Sequence, residues 1–417
     1  MHNYPSPHYP ARCKRTHRIC ELKPGEFAVI AGRLVDRDSL SDETGTVRLG
    51  FNTVAEAKIG DIVEIEGRLE GDVFCASGLR VLVPSRSTAV PLTRDVQTNL
   101  RKRAKIISGI RRFFDEKGFV EVETPLMVPQ PGMEPHLEAF QTVYEMRQFY
   151  LHTSPEYAMK RLLAGGFERI YQICKVFRHE PVGRMHTPEF TMLEWYRAYA
   201  DYTDIMVDTE YLIAELATDL YGEPVVQTDQ CAVDLTPPWE RLSVREAMLR
   251  YAGITADPYS ETAAFIRQAG HATVDKDDPP DVAFFKVFLD RVEAHLGVQK
   301  PAILYDYPAP MAALAKRKSS APDLAERFEV YIAGVELCNA FTELNDPDEQ
   351  RQRLEEEAAQ RVREGNPAYP IDERFLAALE YGMPPSGGIA LGVDRLVMLL
   401  AGASSIGEVM AFPMSDQ

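Results

Sequence analysis

Apolar and polar positions alternate with a period of two through four short stretches near the N-terminus, residues 27–34, 45–51, 60–69 and 79–84. That period puts one side of each stretch into a core, and Gly and Asp separate the stretches. Several short strands forming a small barrel or sandwich are predicted over residues 21–90. A five-stranded OB-like barrel fits, and so do other small β folds. The period then changes. From about Asp95 to Lys117, Ile106, Ile110, Phe113 and Phe114 recur at helical spacing, with Ala104 and Ile107 beside them and Gly118 placed to close the helix. Residues 119–122 read as a strand ended by Thr124-Pro125. Residues 177–199 read as strand, loop, strand. Residues 203–325 mix helical patterns with Pro-rich breaks, and residues 346–364 form a charged surface helix with Asp346 as N-cap.

Some polar residues are out of place in this pattern. Phe190, Met192, Glu194 and Tyr196 fall on one face of their strand. A carboxylate among apolar side chains needs a cation beside it or it loses its charge. Glu194 therefore faces either a cationic ligand or a structural Arg or Lys. Glu329, Glu336 and Glu343 recur every seven residues in a segment too β-branched and Gly-broken for a helix. As strand, bend and strand, these carboxylates sit amid apolar residues and suit divalent cations and nucleotide phosphates. Residues 387–400 form a Gly-rich strand running into an apolar helix, with Arg395 near the helix N-terminus. Backbone N–H groups and a guanidinium there suit a phosphate. No GxxxxGK[ST] sequence occurs, so this is not a P-loop.

Composition bounds the reading. A chain of 417 residues holds one large domain or two, and a 45% apolar fraction is ample for a core. No apolar run approaches the ~20 residues of a membrane span. Residues 1–20 lack an apolar h-region and read as a loose, mildly basic arm rather than a secretory signal. Six scattered cysteines suggest reduced thiols and a cytoplasmic protein; Cys13 and Cys20 read as free thiols. A net charge of −17 argues against a protein that coats nucleic acid non-specifically. Arg33, Arg48, Arg68 and Arg80 in the β-rich region read equally well as a nucleic-acid face or as solvated positions. The basic run at Arg101, Lys102, Arg103 and Lys105 reads as a solvated face. The run 316–320 reads as a mobile, anion-facing loop or a solvated one. Residues 84–88 read as a linker.

The three clusters together resemble something specific. FRHE…PEFTMLEWY, GVELCNAFTEL and GIALGVDRLVMLL are similar to motif 2, the strand that follows it and motif 3 of class II lysyl-tRNA synthetases. GFVEVETPLM resembles motif 1, the dimer-forming helix and strand. TSPEYAMKRLL, MLEWYR and ALGVDRLVMLL…SIGEVMAFP are especially like the short members of that group that lysylate elongation factor P. The resemblance covers about residues 95–417. It implies an α+β fold: a class II catalytic domain over residues 91–417, an antiparallel sheet flanked by helices. It also implies a homodimer, with ATP and magnesium as cofactors. Residues 21–90 look like a shortened OB barrel, which the elongation factor P enzymes usually lack.

Roles follow from the resemblance, position by position. Arg178 would bind the substrate carboxylate and the α-phosphate, Glu180 the adenine amino group, and Arg395 the γ-phosphate. Phe190 would stack under the adenine. His179, His186, Thr187, Glu336, Leu337 and Gly392 would complete the ATP site, and Glu329 and Glu336 would hold magnesium, with Asn339 nearby. Glu156, within the substrate-binding run Ser154, Pro155 and Glu156, would take the α- or β-ammonium of the amino acid. Glu194, Tyr196 and Glu343 would take its side-chain ammonium, with Phe341 and Ala390 lining the pocket. His179 and Thr187 stand where the family usually has Asn, and Ala340 replaces a usual Gly. Ala390 stands where tRNA-charging enzymes usually have Gly and the elongation factor P enzymes have Ala. The leading expectation is an ATP-dependent ligase that makes a lysyl- or β-lysyl-adenylate and transfers it to a lysine of elongation factor P. The same chemistry with tRNA as acceptor, through the β-rich region, is the first alternative. A catalytically silent regulatory or RNA-binding relative is the second.

Overall fold

The alternating stretches near the N-terminus close on themselves. The computed structural model describes residues 13–50, 57–87, 92–228, 231–270 and 274–414. Strands β1 (Phe27–Leu34), β2 (Ser39–Ser41), β3 (Thr46–Leu49), β4 (Ile62–Glu70) and β5 (Val73–Val83) form a closed barrel in the order β1-β2-β3-β5-β4. Closure leaves no free sheet edge. Ala28, Ile30, Leu40, Val63, Ile65 and Phe74 fill the interior. Sequence reasoning passes over β2, because its three residues carry one apolar side chain, Leu40. Residues 1–12 of the expected arm lie outside the described residues. The remainder is not loose. The Thr16 amide donates to Val29 O at 2.8 Å, and Ile19 is buried in the barrel core. This barrel lies in one compact unit, Met1–Thr93; the second is Arg94–Gln417. The expected linker at 84–88 is anchored at its start, where the Ser85 amide donates to Asp61 at 2.6 Å; residue 88 lies outside the described residues.

The second unit is built on a nine-stranded sheet. Its strands are β6 (Val120–Glu121), β7 (Arg169–Phe177), β8 (Glu189–Ala198), β9 (Glu240–Ser243), β10 (Ala302–Pro308), β11 (Ala321–Ile332), β12 (Val335–Thr342) and β13 (Ser386–Gly392). They run in the order β9-β10-β11-β12-β13-β8-β7-β6, and the short strand Arg317–Lys318 pairs off this path with β11. Pairing is antiparallel through the middle and parallel only at the two ends, β9 with β10 and β6 with β7. The motifs read from sequence thus become adjacent central strands: β12, β13 and β8 lie side by side.

Helices bury both faces of the centre. On one side α1 (Arg94–Glu116), α3 (Tyr202–Tyr221) and α6 (Val393–Ala401) share a core with Leu193 and Trp195 of β8. Phe114 stacks on Tyr171 at 4.7 Å and meets Trp195 at 5.2 Å. On the other side α2 (Glu156–Ala164) and α5 (Glu373–Gly382) pack with Tyr196. Period-two alternation along β8 sends neighbouring residues to opposite cores, which is why Glu194 is buried at 1% exposure. A separate core lies over β9 and β10, under the helices Thr262–Ala269 and Pro280–Arg291. Asp201 caps α3 by accepting from the Thr203 amide at 2.7 Å, and Asp346 caps α4 (Pro347–Arg363) by accepting from the amides of Asp348 and Glu349. Each such cap contributes about 1 kcal/mol.

Two basic runs depart from expectation. Arg103 reaches inward, donating to Asp394 at 2.6 Å and Thr191 at 2.9 Å, and Lys102 donates to Ala401 O at 3.0 Å. These cations tie α1 to α6 and β8 instead of facing solvent. The loop 316–320 is pinned too: Lys318 pairs with Asp306, and Arg317 donates to Glu349 at 3.1 Å. No described helix is long and apolar enough to cross a membrane.

Candidate active site

The loop between β7 and β8, strand β12 and the start of α6 enclose a cleft of about 870 Å³ including its mouth. Arg178 and Arg395 both line it, from opposite elements, as do Glu180, His186, Thr187 and Phe190. Arg178 lies over the Phe190 ring, 5.3 Å from its centroid, and donates to Thr153 O at 3.3 Å. Arg395 donates to Glu336 O at 2.8 Å and Met185 O at 3.3 Å. Its Nη2 also donates to His186 Nε2 at 2.8 Å. Burial and then the adjacent Arg395 push the His186 pKa down, so the ring is neutral and free to accept that bond.

Local chain geometry sets the floor of this cleft. The two-residue turn between β11 and β12 has Ala333 and Gly334 at φ 52° and 73°, the left-handed pair that matches strand twist in a tight hairpin. A bulge follows between Val330 and Tyr331, so Tyr331 pairs with Glu336 while Val330 pairs with Cys338. The extra residue re-aims the strand, and Glu336, Leu337, Cys338 and Asn339 all border the cleft. Gly392 lines it as well. A Cβ there would come no nearer to any protein atom than 3.8 Å, so the space it leaves is free for a ligand. Two guanidiniums, an aromatic face and that gap suit a nucleotide triphosphate.

His179 takes no part in the cleft. Along the loop Arg178 and Glu180 face one way and His179 the other. Its Nδ1 lies 3.0 Å from Glu138, and its ring meets Phe140 edge-on at 5.4 Å. The expectation that His179 touches ATP is corrected by this alternation.

The second part of the site is a cluster of buried acidic and phenolic side chains. Glu194 accepts from Ser154 Oγ at 2.6 Å and from Tyr196 OH at 2.8 Å. Burial, and then the charge of Glu156, push its carboxyl up to about 8. Glu343 is 1% exposed and is likewise pushed up to about 8 by burial. Room for it depends on Gly388. A Cβ there would lie 2.1 Å from Glu343 Oε1 and 2.5 Å from the Tyr196 ring. Ala390 stands in register between Glu194 on β8 and Asn339 on β12. Pro155 forms the N-cap position of α2, and Glu156 begins the helix. Phe341 borders Lys160 across 5.3 Å. The structural cation considered for Glu194 is found instead at its neighbours, where one lysine, Lys160, serves two other carboxylates. Glu343 and Glu156 each have a structural lysine at 2.6 Å, whereas the bonded partners of Glu194 are hydroxyls.

The proposed metal pair divides. Glu336 borders the cleft, and burial with the nearby Glu329 pushes its carboxyl up to about 7. Its side chain is 38% exposed, and an accessible carboxylate beside a second one fits a hard cation. Glu329 is committed elsewhere: it accepts from Arg327 at 2.6 Å, Tyr307 OH at 2.5 Å and Tyr331 OH at 2.6 Å. Three of its roughly four lone-pair positions are taken, so the donor set fits magnesium through Glu336, with Glu329 behind it.

The family description "tRNA synthetases class II (D, K and N)" matches residues 82–416. The chain belongs to that family. A lysine–tRNA ligase of Thermosynechococcus vestitus is 35% identical over 97% of this chain and 92% of its own length. An elongation factor P–(R)-beta-lysine ligase of Proteus mirabilis is 44% identical over 76% of this chain and 95% of its own. A lysine–tRNA ligase of Trichormus variabilis is 40% identical over 77% of this chain, and the match spans 57% of that relative.

In this class II synthetase, two residues escaped the sequence reading. Lys160 lies one helical turn after Glu156, and the i,i+4 spacing of Glu and Lys was the available signal. The other is Asp394; its oxygens accept from Arg103 and from the Thr191 amide, each at 2.6 Å, locking α6 to β8 and α1. No sequence signal pointed to so distant a pairing.

Proposed function

We propose that this protein is an ATP-dependent ligase that activates lysine or (R)-β-lysine as its adenylate and transfers it to a lysine of elongation factor P. The observation that carries the reading is the adjacency of a cleft with two guanidiniums to a buried chamber of carboxylates, a pairing suited to a triphosphate beside a doubly aminated acid. The names of the relatives supply the substrates this chemistry suggests.

In this reading the substrate carboxylate, ionised at pH 7, attacks the α-phosphorus and pyrophosphate leaves. Arg178 neutralises charge developing at the α-phosphate, and Arg395 holds the γ-phosphate. Phe190 supports the adenine, Glu180 accepts from its amino group, and His186, Thr187 and Leu337 close the cleft. Bound magnesium, held at Glu336, would neutralise phosphate charge. Glu156 and Ser154 receive the α- or β-ammonium, and Glu194, Tyr196 and Glu343 the distal one. An acceptor amine then attacks the carbonyl carbon; AMP departs, and the amine proton leaves to solvent.

Elongation factor P is favoured by the Proteus relative, of whose length 95% is matched by 76% of this chain. Transfer to tRNA is the second reading, favoured by the closed barrel and by the Thermosynechococcus match, which extends over 97% of this chain. Incubation with purified elongation factor P and, separately, with tRNA decides between them. The proposal predicts a mass gain of one lysyl group on the protein and no charging of tRNA; the reverse overturns the acceptor. We also propose a homodimer through β6 and the residues around it, checked by sedimentation, acting in the cytoplasm where ATP and both acceptors occur.

A further inference from the structure

Helix α2 carries a lysine that the activation chemistry leaves unused. Lys160 is fully buried, at 0% exposure. Its Nζ lies 2.6 Å from Glu156 Oε1 and 2.6 Å from Glu343 Oε2. Phe341 and Phe375 flank it, with ring centroids 5.3 and 5.8 Å away. An ammonium sealed in this way is no nucleophile and no acceptor. Only replacement of all three charged groups together by apolar side chains could serve packing as well; removing the ammonium alone would leave Glu156 and Glu343 without their cation. Its retention between two carboxylates assigned to opposite ends of the amino acid calls for another reason.

Charge supplies one. The groups facing this chamber are Glu156 on α2, Glu343 after β12, Glu194 and Tyr196 on β8, Glu134 in the segment before α2 and Glu357 on α4. Burial holds Glu134 above the usual carboxylate range and pushes Glu357 up to about 8. Lys160 itself pairs with Glu156 and Glu343, and Glu194 lies beside Glu343 with the Arg178 guanidinium farther off, so the group around the lysine sets three negative charges against its one positive when ionised. Burial pulls the Lys160 ammonium down, but Glu156 and Glu343 more than offset this, and it stays charged. The excess of two negative charges equals the two ammonium groups of a diamino acid.

We infer that Lys160 is a positioning residue that fixes Glu156 and Glu343 relative to one another and sets the chamber's charge to accept a substrate with two ammonium groups. The inference rests on the amino-acid-activating reading above and goes beyond it by assigning the charge count to one side chain outside substrate contact. With Lys160 removed, Glu156 and Glu343 face each other without a cation, and Glu343, which burial already pushes up to about 8, holds its proton more tightly. The amino acid must then displace that proton to bind.

The test is ATP–pyrophosphate exchange by the full-length protein with lysine, from pH 6.5 to 9, for the wild type, Lys160→Met and Lys160→Arg. ATP affinity, measured by calorimetry, serves as the fold check. The inference predicts that Lys160→Met binds ATP within about twofold of wild type while its KM for lysine rises by about 30-fold or more. The pH at which KM levels off should also move upward, and Lys160→Arg should recover part of the loss. A Lys160→Met enzyme with wild-type KM and pH profile overturns the inference. So does loss of ATP binding in both variants, which marks the lysine as packing alone. Absence of exchange by the wild type with lysine or β-lysine instead rejects the underlying activity, a result separate from either.

Discussion

The two chambers of this site solve opposite problems. In the cleft proposed for the nucleotide the key groups are guanidiniums: Arg178 and Arg395 rest on backbone carbonyls and the Phe190 ring. In the amino-acid chamber the key groups are carboxylates that burial discharges: Glu194 and Glu343 are each pushed up to about 8. The cleft is therefore ready at any ordinary pH. The chamber becomes anionic as its ligand brings in positive charge. Affinity for the nucleotide should follow salt and magnesium, and affinity for the amino acid should follow pH.

The largest break in this comparison comes from the cleft. Arg178→Ala removes the cation beside the reacting phosphate, and kcat for exchange should fall by about 10³-fold, near the upper range for one preorganised charge-stabilising group. Retention of a tenth of the activity would remove Arg178 from the chemistry. Next, Glu343→Gln should raise KM for lysine by about 10²-fold and leave KM for ATP unchanged, because a buried partner of the substrate is lost on one side only. Parallel rises in both constants would show that the chambers are not separable. Third, Glu336→Gln should increase the magnesium concentration required for half-maximal rate by about tenfold, while Glu329→Gln, acting from behind, should shift it less. Equal shifts would make Glu329 a direct ligand.

The pH arm has a definite sign. Ordinary glutamates titrate near 4.5, and Glu194 and Glu343 near 8 in the ligand-free fold. Between these values the folded protein holds protons that the unfolded chain has released, so ligand-free stability falls as pH rises through this window. Bound lysine needs both groups ionised, so its KM should fall by about tenfold per pH unit for each proton displaced, from pH 6.5 towards 8, and then level off. Thermal shift by saturating lysine should be larger at pH 8.5 than at 6.5. A flat KM would contradict the assigned burial of charge. The smallest expected effect comes from the barrel: deletion of residues 1–93 should change the exchange rate by no more than about threefold, since every proposed activation residue lies in the second unit.

Much of this site was legible because period and chemistry disagreed. Glu194 stood out as a carboxylate on an apolar strand face, and Glu336 and Glu343 as acids in a β-branched hairpin. The adjacency of β12, β13 and β8 was not legible, because pairing between distant strands leaves no local mark. Nor was the retreat of His179 to Glu138, which depends on which way a loop alternates. The bound state of Glu329 was hidden for a similar reason: Tyr307 lies in a strand far away in sequence, and only the register of β10 on β11 brings its hydroxyl to the carboxylate. The basic run at the start of α1 looked solvated because Asp394, its partner, is almost 300 residues downstream.

The account's central claim is that a doubly aminated acid is read by buried carboxylates beside a triphosphate. ATP–pyrophosphate exchange with lysine, (R)-β-lysine and norleucine, which lacks only the distal amine, tests it most directly. The account predicts exchange with a lysine isomer and discrimination against norleucine of about 10⁴-fold, as expected where buried polar groups would be left unpaired. Comparable exchange with norleucine, or none with either lysine isomer, would contradict it.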